Sequence, residues 1–213
     1  MTAGFPAADR WADAFIGGAL CLDFANTVSG CHKDRSRSRL TRYDELLSWS
    51  CAAASLEAAD ADALLRLAEA DPRRAANLLA RSLTLREALY RIFSALAAGG
   101  AVPAADLEVL NRELHAAMKH LTVAPQAASF AWCWSGVAQD LASPLWPIVR
   151  SAADLLTGAE RPLLRECGRC CWLFVDRSKN KRRRWCSMEV CGNRAKSERH
   201  YSRKTGTPRK GSG

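Results

Sequence analysis

Residues 167–204 read CGRCCWLFVDRSKNKRRRWCSMEVCGNRAKSERHYSRK, five cysteines set among arginines and lysines. Two residues separate Cys167 from Cys170, fifteen separate Cys170 from Cys186, and four separate Cys186 from Cys191. That spacing is the pattern of a four-thiolate zinc site. The Cys-x2-Cys turn aims two sulfurs at one point, the intervening stretch forms a loop or hairpin, and the second pair completes a tetrahedron. A closed tetrahedron leaves no coordination position for water or substrate, so one structural zinc per chain is expected rather than a catalytic one. Neighbouring side chains diverge in an extended backbone, so either Cys170 or Cys171 is spare; Cys170 is assigned because it preserves the two-residue spacer. Cys21, Cys31, Cys51 and Cys133 are scattered and read as small buried hydrophobes.

The run WCSMEVCGNRAKSERHYSRK (185–204), preceded by CWLFVDRSKNKRRR (171–184), resembles the CGNR-type zinc finger, a zinc-ribbon-like module found at the C-terminus of bacterial proteins. Cys191, Gly192, Asn193 and Arg194 are the quartet for which that finger is named. The first ligand pair departs from the family pattern, where a longer spacer is common.

Charge divides the chain in the same place. From Arg161 onward there are 16 Lys+Arg against 4 Asp+Glu, a net of +12, which leaves 15 against 18, a net of −3, for residues 1–160. An ordinary globular domain followed by a polyanion-binding segment has this asymmetry, and nucleic acid is the commonest polyanion. The candidate contacts are Lys181, Arg182, Arg183 and Arg184 on the loop between ligand pairs, then Asn193, Arg194, Lys196, Arg199, His200, Arg203 and Lys204. In a helix, Lys196, Arg199, His200 and Arg203 fall at i, i+3, i+4 and i+7 on one stripe, with Lys204 beside it. Trp172, Phe174 and Trp185 are expected to form the finger's miniature core, because Trp172 and Phe174 alternate onto one face of a strand.

Residues 1–13 read as a loose leader. GGALCLDFANTV (17–28) is compatible with a helix or a strand, the helix being favoured; within it Asp23 and Asn26 either hydrogen-bond to neighbouring backbone or line a pocket. Lys33, Arg35, Arg37, Arg39 and Arg42 read as an exposed loop, either solvated surface or a second anionic contact. Helices follow over YDELLSWSCAAA, LEAADADALLRLAEA, the long segment from Pro72 to about Ala98, LEVLNRELHAAMKH and PLWPIVRSAADLLTG. LTVAP and SFAWCWS flank a turn and predict a small β-hairpin. The expected architecture is α+β, mostly α: a helical domain over 1–160 that folds independently, a zinc-ribbon-like module over 161–205 and a disordered basic tail over 206–213. No secretory signal or membrane-spanning run is visible, so a cytoplasmic protein is expected, where thiols stay reduced.

GGALCLDFANTVSGCHKDRSRSRLTRYDELLSW (17–49) together with PLWPIVRSAADLL (144–156) resembles the ABATE domain that usually precedes a CGNR finger. The pair of resemblances implies a stress-related transcription regulator or nucleic-acid-binding protein. The four histidines, His32, His115, His120 and His200, fall in no metal-protease, nucleophile-elbow or phosphate-loop setting, so no enzyme is expected. The expected function is zinc-dependent nucleic-acid binding, DNA ahead of RNA, by a bacterial transcription regulator whose 1–160 domain senses a small ligand or dimerises. The alternative is an adaptor whose basic zinc module meets an acidic protein partner.

Overall fold

The structure, a computed structural model, describes residues 8–29 and 35–205; the expectations for residues 1–7, Cys31, Lys33 and the 206–213 tail lie outside them. In chain order the elements are α1 (Leu20–Ala25), β1 (Val28–Ser29), β2 (Arg37–Ser38), α2 (Tyr43–Ala52), α3 (Ala58–Ala70) and α4 (Pro72–Ala97). Then come α5 (Ala104–Met118), β3 (Leu121–Gln126), β4 (Ser129–Trp134), α6 (Trp146–Thr157), β5 (Leu164–Glu166), β6 (Leu173–Val175) and α7 (Asn193–Thr205). The strands form three separate antiparallel pairs, β1–β2, β3–β4 and β5–β6. The fold is therefore mostly helical with minor sheet, as the periodicity predicts. Among the described residues no helix is long and apolar enough to cross a membrane.

Helix α4 is the spine. Pro72 occupies its first turn, where a missing N–H removes no helical hydrogen bond, and the Asp71 carboxylate caps it by accepting from the Arg74 N–H at 2.9 Å. Leu85, Leu89, Ile92 and Phe93 are fully buried along one side, in the core shared with Leu22 and Phe24 of α1 and Leu46, Leu47 and Trp49 of α2. Arg91 reaches across to α5, where its guanidinium pairs bidentately with Asp106 at 2.6 and 2.8 Å.

Two loop expectations are corrected. The leader is ordered from Ala8 to Trp11 as a 3-10 turn, because Trp11 is fully buried and its indole donates to Ser48 Oγ at 3.1 Å. The arginines of the 35–42 stretch are largely structural. Arg35 lies 3.6 Å over the Tyr90 ring, bonds Glu87 at 3.0 Å and donates to the Ala25 carbonyl at 2.8 Å. Arg39 covers Trp11, and Arg42 pairs with Asp44. Arg35 and Arg39 are thus occupied in holding the loop down, whereas Arg37 and Arg42 stay exposed.

The two polar residues of α1 have different partners. Asp23 Oδ1 accepts from the Gly17 N–H at 2.7 Å, a neighbouring backbone bond. Asn26, 2% exposed, reaches a peptide 147 residues away: its Nδ2 donates to the Leu173 carbonyl and its Oδ1 accepts from the Leu173 N–H, both at 2.9 Å. Beside it the Val175 N–H donates to the Gly17 carbonyl at 2.8 Å, Arg177 donates to the Gly18 carbonyl at 2.9 Å, and the Trp172 indole donates to the Val28 carbonyl at 3.1 Å. Gly18 takes a φ of 78°, and a Cβ there would stand 3.0 Å from the Arg177 guanidinium.

Strand β6 is consequently buried on both faces. Leu173 and Val175, with Leu164 of β5, belong to the main hydrophobic core, whereas Phe174 faces the cysteines. Glu166 extends the junction by accepting from Ser94 Oγ of α4 at 2.5 Å. Part of the main core is therefore supplied from beyond the charge boundary, by Leu164, Leu173 and Val175.

Asn26→Ala leaves both polar groups of the Leu173 peptide buried without a partner, and denaturant unfolding is expected to show a loss of about 2–4 kcal/mol; a loss below ~0.5 kcal/mol would remove the bond from its structural role. Burial raises the Asp23 pKa from an ordinary 3.8 to about 6, against the lowering effect of the Gly17 and Ile16 N–H groups. A carboxyl with a raised folded pKa holds more protons in the native state, so its contribution to stability is full below about pH 4 and is lost as pH rises through about 6. Asp23→Asn is expected to flatten stability against pH across that window; an unchanged profile would assign the titration elsewhere.

Candidate metal centre

The β5–β6 hairpin carries the first cysteine pair in its turn. The Cys167 N–H donates to the Trp172 carbonyl at 2.9 Å and the Cys171 N–H to the Cys167 carbonyl at 3.0 Å, while Cys171 adopts a left-handed φ of 56° that reverses the chain into β6. The second pair follows the loop. Ser187 caps a single π-helical turn, Met188–Gly192, by accepting from the Val190 N–H at 3.2 Å, and this turn carries Cys191 directly into α7. A Cβ on Gly192 would lie 2.9 Å from the flexible end of the half-exposed Met188 side chain and 3.4 Å from Trp185.

The ligand atoms of Cys167, Cys170, Cys186 and Cys191 all lie within 4.8 Å of one another. Cys170 and Cys186 sulfurs are 3.5 Å apart, and Cys186 and Cys191 sulfurs 3.7 Å. Four Zn–S bonds of about 2.3 Å in a tetrahedron require sulfur separations of about 3.8 Å, so the donor set fits the ion in both number and size. Cys171 is disulfide-bonded, contrary to the reduced thiols expected from the sequence, and takes no place in the cluster. Of the other cysteines, Cys21 is buried, Cys51 half-buried and Cys133 exposed. Cys133 corrects the expectation of burial, because its position alternates onto the outward polar side of β4.

Protonation shows why a dication suits this cluster. Hydrogen bonds from Cys170 and Cys186 pull the Cys167 thiol far below its ordinary range. Donating to Cys167 pushes Cys170 up to about 12, and donating to Cys167 and Cys170 pushes Cys186 up as well. Adjacent thiolates repel, so protons remain among the sulfurs until a cation replaces them. Phe174, fully buried, packs with Cys167, Cys186 and Cys191, and Trp172, Trp185 and Ile16 close over them. These aromatics form the small core expected of them.

Asp176 is a residue that sequence reading missed. It is fully buried, with Oδ1 accepting from the Ser178 N–H at 3.0 Å and Oδ2 from the Arg183 N–H at 2.8 Å, which pins both ends of the basic loop. Burial opposes its charge, but the hydrogen bonds from Ser178 and Arg183 prevail and hold the carboxyl below the usual range. The available signal was one acid between an apolar strand and a run of cations.

The candidate nucleic-acid contacts separate. Lys181, Arg182 and Arg184 are exposed on the loop, Arg184 lying 5.3 Å over Trp185. Arg183 turns inward: it donates to the Cys186 carbonyl at 2.5 Å and lies 5.1 Å over Phe174, so it braces the metal loop. Asn193, Arg194 and Lys196 are exposed on the first turns of α7, and Arg194 also lines a cavity of about 580 Å³ with Asp13, Glu189 and three of the cysteines. Arg169 of the zinc turn pairs with Glu198, tying α7 to the hairpin. Arg199, His200, Arg203 and Lys204 lie within α7, but their side chains are outside those described.

A helical domain sharing its core with a four-cysteine module that ends in a basic helix defines a zinc-finger protein. Residues 164–204 match the CGNR zinc finger, and residues 18–159 match ABATE, a family described as "Putative stress-induced transcription regulator". The ABATE match spans more than half of the 213 residues, and the chain belongs to that family. Comparison with curated proteins returned no match.

The finger carries one structural zinc, consistent with its four converging cysteines. Elemental analysis of purified protein is expected to give one zinc per chain, and Cys186→Ser to lose it together with the near-UV circular dichroism of Trp185, with the Trp172 indole still held by the Val28 carbonyl. Zinc retained at full stoichiometry in that variant would remove Cys186 from the ligand set. Cys171→Ser is expected to keep the metal.

Proposed function

We propose that this protein binds nucleic acid through its zinc finger and acts as a transcription regulator, the helical domain modulating the grip of the finger. The observation that carries the reading is stoichiometric. Residues 161–213 hold 16 cations and 4 acids, so no internal pairing scheme within the segment can neutralise it. Several of those cations sit on α7, a helix whose N-terminal end is fixed to the metal through Cys191.

The chain's residues divide the work. Zinc supplies a rigid anchor; Cys167, Cys170, Cys186 and Cys191 hold it, and Asp176 and Arg183 brace the loop between the pairs. Lys181, Arg182 and Arg184 face outward to meet phosphate oxygens. On α7 the positions of Lys196, Arg199, His200 and Arg203 share one face by the helical repeat, with Lys204 adjoining, which suits a helix tracking a backbone or entering a groove. Asn193 and Arg194 stand where that helix leaves the metal. DNA is preferred to RNA because the family's description is that of a transcription regulator. A cytoplasmic location belongs to the same reading, as does a binding rather than a catalytic role. Strand β6, shared by the helical core and the metal cluster, is the route by which the helical domain reaches the finger.

Mobility-shift titrations of the zinc-loaded chain with DNA and RNA duplexes and single strands, repeated over a salt series, test the proposal. Binding is expected to weaken log-linearly with salt. Arg199→Ala with Arg203→Ala is expected to weaken it on every sequence and make the slope shallower by about 1–2 units, about one per phosphate contact removed, with zinc retained. No affinity for generic nucleic acid at low salt would instead favour an adaptor that presents its basic module to an acidic protein.

A further inference from the structure

The turn that carries the first zinc ligands ends on Cys171, next to the ligand Cys170, and the Cys171 sulfur is disulfide-bonded. Cys21, Cys51, Cys133 and the four cysteines of the cluster are free, Cys133 even though it is exposed. The sequence holds nine cysteines, so the second sulfur belongs to the one that remains, Cys31, which lies outside the described residues. Described neighbours on both sides agree with that pairing. The Trp172 indole donates to the Val28 carbonyl at 3.1 Å, and both polar groups of the Leu173 peptide are held by Asn26. Residues 26–28 therefore run beside 172–173, each stretch only a few positions from its cysteine in the sequence.

Geometry makes this bond matter to the metal. Cys171 has a φ of 56°, in the left-handed region that a non-glycine residue occupies at a cost and keeps only where its surroundings fix it. Its N–H closes the turn onto the Cys167 carbonyl at 3.0 Å, so the conformation of Cys171 sets how Cys167 and Cys170 face one point. We propose that the Cys171–Cys31 disulfide is a reversible latch on the zinc turn. Formed, it holds Cys171 in its strained conformation and slows loss of the metal; reduced, it lets the turn open. The bonds of Asn26 and Trp172 do not depend on it, so the β5–β6 hairpin stays docked in both states.

A small-molecule disulfide of the glutathione class serves as oxidant. One protein sulfur attacks it, forming a mixed disulfide and expelling one small thiol; the second protein sulfur then attacks the mixed disulfide, closing the protein S–S bond and expelling the other. The two protein thiols lose two electrons and two protons, and both pairs leave on the two small thiols. The reverse exchange, driven by excess small thiol, reopens the latch. Cys171 is only 8% exposed, so exchange is expected over minutes to hours rather than at each encounter. The latch acts on the zinc turn whether or not nucleic acid is bound.

The test equilibrates the zinc-loaded full chain in oxidised or in reduced glutathione, alkylates it, and digests it without further reduction. Mass spectrometry of the oxidised sample is expected to join the peptide of Cys171 to that of Cys31, with fragment spectra placing the link at those two residues. The reduced sample is expected to show both alkylated, with zinc content and far-UV circular dichroism the same in the two buffers. Zinc transfer to a chromogenic chelator is expected to be at least about fivefold faster from the reduced chain, as release of a strained turn implies. Cys31→Ser leaves every zinc ligand in place and is expected to transfer zinc at the fast rate in both buffers. A link from Cys171 to any other cysteine overturns the proposal, as does a bond that glutathione cannot reduce in the folded chain. Equal transfer rates in the two buffers, or a slow rate for Cys31→Ser, overturn it as well.

Discussion

Strand β6 has an edge to satisfy. Its other side pairs with β5, and the polar groups that face away from β5 would lie buried and unpaired without a further strand. The chain supplies a substitute from its opposite end. Asn26 presents donor and acceptor to the Leu173 peptide at 2.9 Å each, and the Gly17 carbonyl receives the Val175 N–H at 2.8 Å. An amide side chain is suited to this task because it carries the same donor and acceptor as a peptide. The zinc hairpin is thereby fixed to α1, and α1 to the spine helix, so the metal centre inherits the rigidity of a core it could not build from its own few apolar side chains.

That arrangement alters what the metal does. A small module without a core ordinarily owes its fold to the ion. Here Leu164, Leu173 and Val175 are held by the main core, and the part left to zinc is narrower: Cys186 and Cys191, the basic loop and the start of α7. The loop has a second brace in Asp176, whose two oxygens hold the Ser178 and Arg183 N–H groups. Metal binding therefore orders the surface that bears the charge more than the hairpin beneath it, and it places α7 against a scaffold that is already folded.

Helices were legible because their signals are local. Pro72 and the apolar stripe marked α4, and the Leu121–Gln126 and Ser129–Trp134 strands showed their turn and their alternation. The cysteine spacing, likewise local, pointed to the cluster of four. What escaped depends on distance along the chain. Nothing in GGALCLDFANTV announces that Asn26 bonds a peptide 147 residues away, and a basic run read as exposed loop gives no hint that Arg35 is buried over Tyr90. Trp11 was lost in a leader without periodicity for the same reason. A tryptophan can anchor a segment by itself when a cavity elsewhere in the fold receives it, and no periodicity records that.

The division of charge follows from how each half treats its arginines. In the helical part, Arg35, Arg81, Arg86, Arg91 and Arg39 are each engaged with a carboxylate, and Arg35 and Arg86 share the one of Glu87. Cations used in this way are structural and contribute little field at a distance. In the finger the acids are too few to repeat the pattern, and three of the four are already committed: Asp176 to backbone N–H groups, Glu166 to Ser94, Glu198 to Arg169. Four carboxylates cannot neutralise 16 cations within the segment. Like charges held that densely raise the energy of the folded state unless a polyanion or a counterion atmosphere screens them. The sequence tolerates that strain only in the segment fastened at both metal and core, where repulsion cannot unfold what Asn26, the Gly17 carbonyl and four sulfurs jointly hold in place.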